Sequence, residues 1–376
     1  MALRFDRRAF LGTGSAAVAS MLSGGGQGLA ADDPGSFSFV LLGDLHYDKL
    51  EHHDFKKLEE KHQGDIRQIQ NYSRITAEIM PALFATVRDV VAREKAAFVL
   101  QVGDLVEGLC GSQELADKQN RDAVDFVRNA GLGVPFLFTK GNHDVTGDGA
   151  GAAFQDVFHP FLKEQSSSFK GGGQMTSANY VIEHQGAEFC CFDAYDRASL
   201  EWLESVLKTR TADRSFVVIH PPVVPYGARS TWHVYASAKD AARREKLLEL
   251  LGRENAIVLG GHIHKYNMIS RQTSAGGRFT QLAVSSVIGE RKVKPRHELS
   301  GVESYDGDQI RVEPEYSPMT EQERRAVYDA ERPFVRRFEY ADLPGYCVVS
   351  VGRERVTARM FAGVEQAVWK TVELSS

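Results

Sequence analysis

The sequence predicts an α/β protein built from two packed mixed β-sheets that are flanked by helices. From residue 37 onward, short apolar runs of strand length alternate with segments of helical periodicity, which is typical of a layered α/β fold. Residues 179–195 and 345–362 predict antiparallel hairpins, and these hairpins favour a second, partly antiparallel sheet. No run reaches the roughly 18 uninterrupted apolar residues of a membrane span.

Five apolar runs predict buried strands, and a polar side chain follows each of them. The runs are FSFVLL (37–42), FVLQV (98–102), VPFLF (134–138), SFVVI (215–219) and AIVLG (256–260). They lead into GDLH, GDLVEG, GNHD, HPP and GHIH. Because strand ends in an open α/β sheet meet at one edge, we expect the His, Asp and Asn side chains to collect there.

Helices fit between the predicted strands. Apolar residues at helical spacing predict helices over 81–91, 122–130, 200–207 and 247–251, with Pro81 at the start of the first. Their leucine and valine stripes are typical of core contacts. We therefore place these side chains in the core and not against a cofactor.

The chain divides into a leader at 1–31, a main domain at 37–289, a polar segment at 290–344 and C-terminal strands at 345–362 that complete the fold. Residues 290–344 do not follow the alternation of strands and helices, and neither do residues 49–74. Each of these two segments is either a solvated surface excursion or a lid that shapes access to the strand ends.

The N-terminus has the features of an export signal. Arg7 and Arg8 stand within DRRAFLG (6–12), a mildly apolar stretch rich in Gly and Ala follows, and small residues suit cleavage near Ala30 or Ala31. This order resembles a bacterial twin-arginine signal, which implies the twin-arginine export machinery as a partner and a periplasmic or secreted location. The alternative is a soluble basic N-terminus or a short amphipathic helix.

Charge argues against several classes of partner. The formal net charge is −5, and removing the basic leader makes it more negative. Such a chain has no general attraction to nucleic acid or to an anionic membrane surface, and we expect no stable membrane anchor once the leader is removed.

The four cysteines do not indicate a thiolate metal site. Cys190 and Cys191 lie together in the apolar run EFCCF and are expected in the core. The sequence contains no CxxC spacing, which disfavours a zinc site with Cys ligands. An oxidising compartment permits disulfides, and whether Cys110 pairs with Cys347 stays open.

Seven side chains in the five blocks are candidate metal ligands. They are Asp44, His46, Asp104, Asn142, His220, His262 and His264. A structural zinc site needs about four ligands, so seven indicate two ions that share one donor, with Asp104 as the natural bridge and one oxygen facing each ion. Two ions about 4 Å apart can hold a shared hydroxide and grip the attacking and leaving oxygens of a phosphoryl group. Mixed His and carboxylate donors suit Fe, Mn, Zn or Co better than Ca.

GDLH, GDLVEG, GNHD, IHPP and GGHIH together resemble the calcineurin-like metallophosphoesterase superfamily, over about residues 37–289. The overall pattern is closer to its cyclic-nucleotide-phosphodiesterase-like branch. The resemblance implies one ion held by Asp44, His46 and His264, another held by Asn142, His220 and His262, and Asp104 shared between them.

The same resemblance implies a catalytic role for His143, which would stabilise phosphoryl oxygens or protonate the leaving alkoxide. Glu107 or Asp144 would orient His143 or raise its pKa, and the sequence does not decide between them. Glu107 stands where purple acid phosphatases carry a Tyr ligand, so the tyrosinate–iron version is disfavoured. Gly108 and Leu109 replace the Arg-rich continuation of the protein Ser/Thr phosphatases, which disfavours a phosphoprotein substrate.

The implied function is hydrolysis of a small phosphodiester or phosphomonoester, such as a nucleotide, by attack of a metal-bridging hydroxide. A lipid or sugar phosphate is the second choice, and Trp232, His233 and Tyr266 are candidate lining residues. The competing class is a non-catalytic binding or scaffold protein on the same fold. A single-metal oxygenase or an amide hydrolase explains neither the Asn ligand nor the seventh donor.

Overall fold

A computed structural model describes residues 35–173, 175, 177–227, 229 and 232–375. The predicted leader at 1–31 lies outside the described residues. In the described part of the chain the strands are β1 (Phe37–Leu42), β2 (Val99–Gln101), β3 (Phe136–Phe138), β4 (Tyr180–His184), β5 (Ala187–Phe192), β6 (Arg214–Ile219), β7 (Ile257–Gly260), β8 (Tyr266–Gln272), β9 (Arg278–Ala283), β10 (Arg296–Ser300), β11 (Val335–Asp342), β12 (Gly345–Val351), β13 (Val356–Ala362) and β14 (Val368–Glu373).

The helices of the described residues connect these strands and cover the sheets. They are α1 (Phe55–Lys61), α2 (Ile66–Glu78), α3 (Met80–Glu94), α4 (Gln113–Asn129), α5 (Ala150–Ala153), α6 (His159–Ser166), α7 (Ser199–Thr209), α8 (Ala241–Arg253), α9 (Val302–Asp306) and α10 (Glu321–Glu331). None of the helices in the described ranges combines the length and the apolar character that crossing a membrane requires.

The strands form two mixed sheets, and the predicted fold class is confirmed. The six-stranded sheet has the order β14-β13-β12-β1-β2-β3, in which β1, β2 and β3 are parallel and the C-terminal strands are antiparallel. The eight-stranded sheet has the order β10-β11-β8-β9-β7-β6-β5-β4, with a parallel centre of β5, β6, β7 and β9. Each sheet therefore presents the carboxyl ends of parallel strands along one edge.

Aromatic side chains form the contact between the two sheets. Phe39 of β1 lies edge-on to Phe189 of β5 and to Phe216 of β6, with ring centroids 5.3 and 5.9 Å apart. All three rings are fully buried, and burial of each contributes about 1.5–3 kcal/mol. This shared core fixes one sheet against the other and so fixes the edge where the strand ends meet.

The predicted strands and helices are found, with differences at their ends. Helix α4 begins at Gln113, well before the predicted 122, because Ser112 caps it and accepts a hydrogen bond from the Leu115 N–H at 3.3 Å. Its first turns carry polar residues and show no apolar stripe, so periodicity alone does not reveal them. Strand β14 also extends the C-terminal strands beyond the predicted end at 362.

Residues 290–344 differ from the expected excursion, because they contain structural elements of the main fold. Strand β11 lies inside the eight-stranded sheet between β10 and β8. Tyr305 of α9 and Tyr328 of α10 are fully buried, and their hydroxyls donate to the carbonyls of Pro225 at 2.9 Å and Gly227 at 2.7 Å. The segment therefore packs under the loop that follows β6.

Candidate metal centre

The loops after five strands bring the predicted donors together where the two sheets meet. Asp44 follows β1 and pairs with the chain after β9 through a bridge to Ser285. Both oxygens of the Asp44 carboxylate accept the His262 N–H, at 2.9 and 3.1 Å. His220 follows β6, and its Nδ1 lies 2.9 Å from the Val102 carbonyl beyond β2. These bonds join the edges of the two sheets at the site.

One donor group contains Asp44, His46 and His264. Their donor atoms all lie within 4.8 Å of one another. The two Nε2 atoms of His46 and His264 are 3.0 Å apart, and His264 Nε2 is 3.6 Å from Asp44 Oδ1. These residues provide one oxygen and two nitrogen donors, close together at the end of β1.

A second donor group contains Asp104, His220 and His262, again with all donor atoms within 4.8 Å. His220 Nε2 lies 3.0 Å from Asp104 Oδ2 and 3.1 Å from His262 Nδ1. The two groups are adjacent, since Asp104 Oδ2 is also 3.8 Å from His46 Nε2.

Asp104 faces both groups through a single oxygen, which differs from the expectation of one oxygen per ion. Oδ2 is the atom near His46 and His220. The other oxygen, Oδ1, accepts the backbone N–H of His143 at 2.8 Å. A Cβ at Gly141 would collide with this carboxylate, so a residue without a side chain is required there.

The ring orientations fit divalent metal ions. His46 Nδ1 lies 2.7 Å from Glu107 Oε2, and His220 Nδ1 lies 2.9 Å from the Val102 carbonyl. Each Nδ1–H can donate to its oxygen partner, so a ring that gives up its second proton to a cation would offer Nε2 on the side of the shared Asp104 oxygen. This is how metal-binding histidines are held in proteins, and the residues present therefore fit a pair of ions.

Four of the donors adopt left-handed backbone conformations. The φ angles of His46, Asp104, His262 and His264 are 48°, 55°, 71° and 59°. Such residues cost about 1–3 kcal/mol each and cluster at functional sites. The Ile263 N–H donates to the Gly261 carbonyl at 2.8 Å, and this local turn directs His262 and His264 to different donor groups.

The charges of the metal-free groups are perturbed by burial and by one another. Burial opposes the charged form of His46 and His220, but Glu107 beside His46 and Asp104 beside His220 raise the pKa of each ring to about 9. Burial and the neighbouring His220 lower the pKa of His262 to about 3. Metal-free protein at neutral pH therefore holds protons where cations would bind.

Asp144 and Glu107 have different surroundings. The buried Asp144 carboxylate accepts the backbone N–H groups of Asp104, Leu105, Val106 and Gly141, at 3.1, 2.8, 3.2 and 2.7 Å. Asp144 therefore ties the loop after β2 to the loop after β3. Burial, with the nearby Asp104 charge, raises the pKa of Asp144 to about 6.

Glu107 is the acidic group beside the His143 ring. Its carboxylate lies 3.3 Å from His143 Nδ1, which also lies 2.7 Å from the Glu107 carbonyl. The other carboxylate oxygen accepts Gln68 Nε2–H at 3.0 Å. Gln68 belongs to α2, so part of the polar segment 49–74 reaches the centre.

A cavity of about 620 Å³ opens over the donors. Asn142, His143 and His264 line it on the side of the centre. Asp65, Gln68, Tyr72, Tyr195, Arg229 and Tyr235 also line it, and sequence reasoning missed them as site residues. Tyr72 stacks on His46 with ring centroids 4.3 Å apart. No local motif marks these residues, because distant parts of the chain bring them here.

Two of the three suggested lining residues, Trp232 and His233, border the cavity. Tyr266 does not, and its assignment is wrong. It is fully buried in β8, where its hydroxyl donates to Glu339 Oε2 at 3.1 Å and its ring packs against Trp369. Among the described residues of 290–344, none lines this cavity, but Arg296, Glu313 and Tyr340 line a smaller cavity that shares Arg229 and His264 with it.

The two sheets and the paired His/Asp groups at their joined edges define the metallophosphoesterase class. Residues 37–266 match the family described as calcineurin-like phosphoesterases, and the chain belongs to this family. No curated protein matches the chain.

Solved structures share the fold at low identity. PhoD is 15% identical with a TM-score of 0.52, over 91% of this chain and 70% of that one. GAP50, described as the anchor in the inner membrane complex of Plasmodium, is 14% identical with a TM-score of 0.50, over 90% and 89%. The purple acid phosphatase PPD1 from yellow lupin (Lupinus luteus) seeds is 11% identical with a TM-score of 0.51, over 91% and 55%.

Proposed function

We propose that the protein is a dinuclear metal-dependent phosphoesterase that hydrolyses a small phosphodiester or phosphomonoester. The observation that carries the proposal is the convergence of two donor groups on Asp104 Oδ2, which lies 3.8 Å from His46 Nε2 and 3.0 Å from His220 Nε2. A single structural ion would not require two such groups. Membership of the calcineurin-like phosphoesterase family supports the same reaction class.

The proposed ligands divide between two ions. Asp44, His46 and His264 would hold one, Asn142, His220 and His262 would hold the other, and Asp104 would serve both. When bound, two divalent cations would polarise a phosphoryl group and lower the pKa of a water, so that hydroxide is available to attack phosphorus near neutral pH. Fe, Mn, Zn and Co all suit this donor set.

His143 is the proposed proton donor to the leaving oxygen. Its side chain is partly exposed to the cavity, and Nδ1–H donates to the Glu107 carbonyl, which leaves Nε2 for the substrate. The Glu107 carboxylate lies 3.3 Å from Nδ1 and helps to hold the ring in this orientation. A protonated ring can stabilise phosphoryl charge and donate Nε2–H to the departing alkoxide.

The test is turnover of bis(p-nitrophenyl) phosphate and p-nitrophenyl phosphate by protein loaded with Mn²⁺, together with metal analysis. We expect hydrolysis of at least one ester and close to two ions per chain, and the preferred ester separates diesterase from monoesterase. The alternative is a scaffold role, favoured by the shared fold of GAP50, which is described as an anchor. Two bound ions with no turnover of any phosphoester would favour that alternative.

We also propose that the protein is exported by the twin-arginine route to the periplasm or beyond. The support is the RR pair in DRRAFLG and the small residues near position 30. This route carries folded proteins, which suits an enzyme that is loaded with metal before export.

A further inference from the structure

We propose that the organic group of the substrate is a flat aromatic or heteroaromatic ring, and that Trp232 and Tyr195 bind this ring beside the metal centre. The inference rests on the proposed function, because the ring is taken to be esterified to the phosphorus. It names a specificity site that is separate from the metal ligands.

Exposed aromatic surface is concentrated at this cavity. Among the described residues, the large hydrophobic side chains that are exposed are Leu50, Tyr195, Trp232 and Val368. Two of these four, Trp232 at 42% and Tyr195 at 41% exposure, line the same cavity. Large rings that stay in water next to a reaction centre are well placed to bury a ligand's apolar surface.

Both rings lie next to proposed ligands of the same ion. The Trp232 ring centroid is 5.5 Å from that of His262. The Tyr195 hydroxyl is 3.4 Å from Asn142 Oδ1. A phosphoryl group bound to the ion that these residues would hold would therefore carry its ester substituent within reach of both aromatic side chains.

The loop that carries Trp232 is anchored on both sides. The Trp232 N–H donates to the Arg229 carbonyl, and the Val234 N–H donates to the Pro222 carbonyl, both at 2.9 Å. Arg244 Nη1 donates to the Val234 carbonyl at 3.3 Å. A main chain held in this way loses little freedom when a ligand binds.

Tyr195 is fixed by a separate contact. Its N–H donates to Asp193 Oδ1 at 2.9 Å, and the Asp193 carboxylate is paired with Lys140. The two aromatic residues are thus presented by independent, hydrogen-bonded loops on one cavity. This arrangement is typical of a preformed site for a small rigid group.

The positive charge of Arg229 disfavours a cationic ligand at this cavity. The guanidinium carbon of Arg229 lies 4.8 Å from the centroid of the Trp232 ring. A second positive charge, such as a quaternary ammonium group, would be repelled there, whereas a neutral ring attached to an anionic phosphoester would be tolerated. The cavity volume of about 620 Å³ is ample for one ring with its phosphoryl group.

The experiment compares binding of phenylphosphonate and methylphosphonate to Mn²⁺-loaded protein by calorimetry. The two probes share the phosphonate and differ in the ring. We expect phenylphosphonate to bind about tenfold more tightly. Trp232→Leu keeps apolar bulk without the flat ring and should reduce this preference to less than about threefold, while Trp232→Phe should retain most of it.

Val368→Ala is the matched control, because it removes an exposed apolar side chain remote from the cavity lining and should leave the preference unchanged. Equal affinity of the wild-type protein for both probes, or an unchanged preference in a folded Trp232→Leu variant, would overturn the ring inference and leave the phosphoester proposal standing. If neither phosphonate binds to the metal-loaded protein, the proposed function is refuted, and the inference with it.

Discussion

Replacing Glu331 of α10 tests how much the ion pairs between residues 290–344 and the main domain stabilise the fold. The Glu331 carboxylate accepts hydrogen bonds from Arg244 Nη2 at 2.5 Å and from Arg271 Nε at 2.8 Å, and the residue is only 7% exposed. Glu331→Ala would leave two guanidinium groups without this counter-charge. Breaking a buried ion pair costs about 3–5 kcal/mol.

The remaining contacts place the expected cost at the low end of that range. Arg244 keeps its bonds to the carbonyls of Val223 at 2.8 Å and Val234 at 3.3 Å. Arg271 keeps its bond to the Gln272 carbonyl at 3.0 Å. We therefore expect the free energy of unfolding to fall by about 3 kcal/mol for Glu331→Ala, as measured by urea denaturation near pH 7.

The pH dependence provides a second check on this ion-pair cluster. Burial opposes ionisation of Glu331, but Arg244 and Arg271 lower its pKa below the ordinary value. A lowered folded-state pKa gives a stabilisation that is present above the unfolded pKa and is lost as the pH falls through the folded one. The stability difference between wild type and Glu331→Gln should therefore shrink in acid. A loss below about 1 kcal/mol in Glu331→Ala, or a difference that grows in acid, would refute the reasoning.

Three further predictions concern the centre and the leader. Asp104→Ala removes the shared donor and should lower phosphoester turnover by at least about a thousandfold, with fewer than two ions per chain by metal analysis, and unchanged turnover would contradict the shared-ligand assignment. Because the pKa of His46 and of His220 is about 9 in metal-free protein, cations must displace protons below that pH. Mn²⁺ affinity should thus rise from pH 6 to 9 with proton release in calorimetry, and a flat profile would count against it. Replacing Arg7 and Arg8 together by Lys should keep the protein in the cytoplasm in cell fractionation, and normal export would exclude the twin-arginine route.

The parts of the fold that sequence reasoning predicted are those with local signals. The composition of a run such as FSFVLL at 37–42 is enough to predict a strand, and the structure has β1 at Phe37–Leu42. Asp44 and His262 each follow such a run at once, so predicting the strands also predicted where these side chains lie. The loops that follow parallel strands all lie at the same edge of the sheet, where the carboxyl ends of the strands meet.

The parts that were missed depend on contacts between distant segments. Gln68 reaches Glu107 only because α2 packs over the centre, and nothing in its own helix marks it as a site residue. Tyr266 follows the His-rich block closely in sequence, yet strand β8 directs its ring into the core. Residues 290–344 look polar along the chain, while the side chains that matter for packing, such as Tyr305 and Tyr328, are few and widely spaced.

The hydrogen bonds that join Asp44 to His262 and His220 to Val102 require no cation. The polypeptide itself therefore joins the edges of the two sheets through these hydrogen bonds. Chelation should remove metal without unfolding the chain, and one divalent ion should be replaceable by another in the folded state. Under such exchange, the metal found in purified protein would reflect the supply in the growth medium as much as the preference of the ligands.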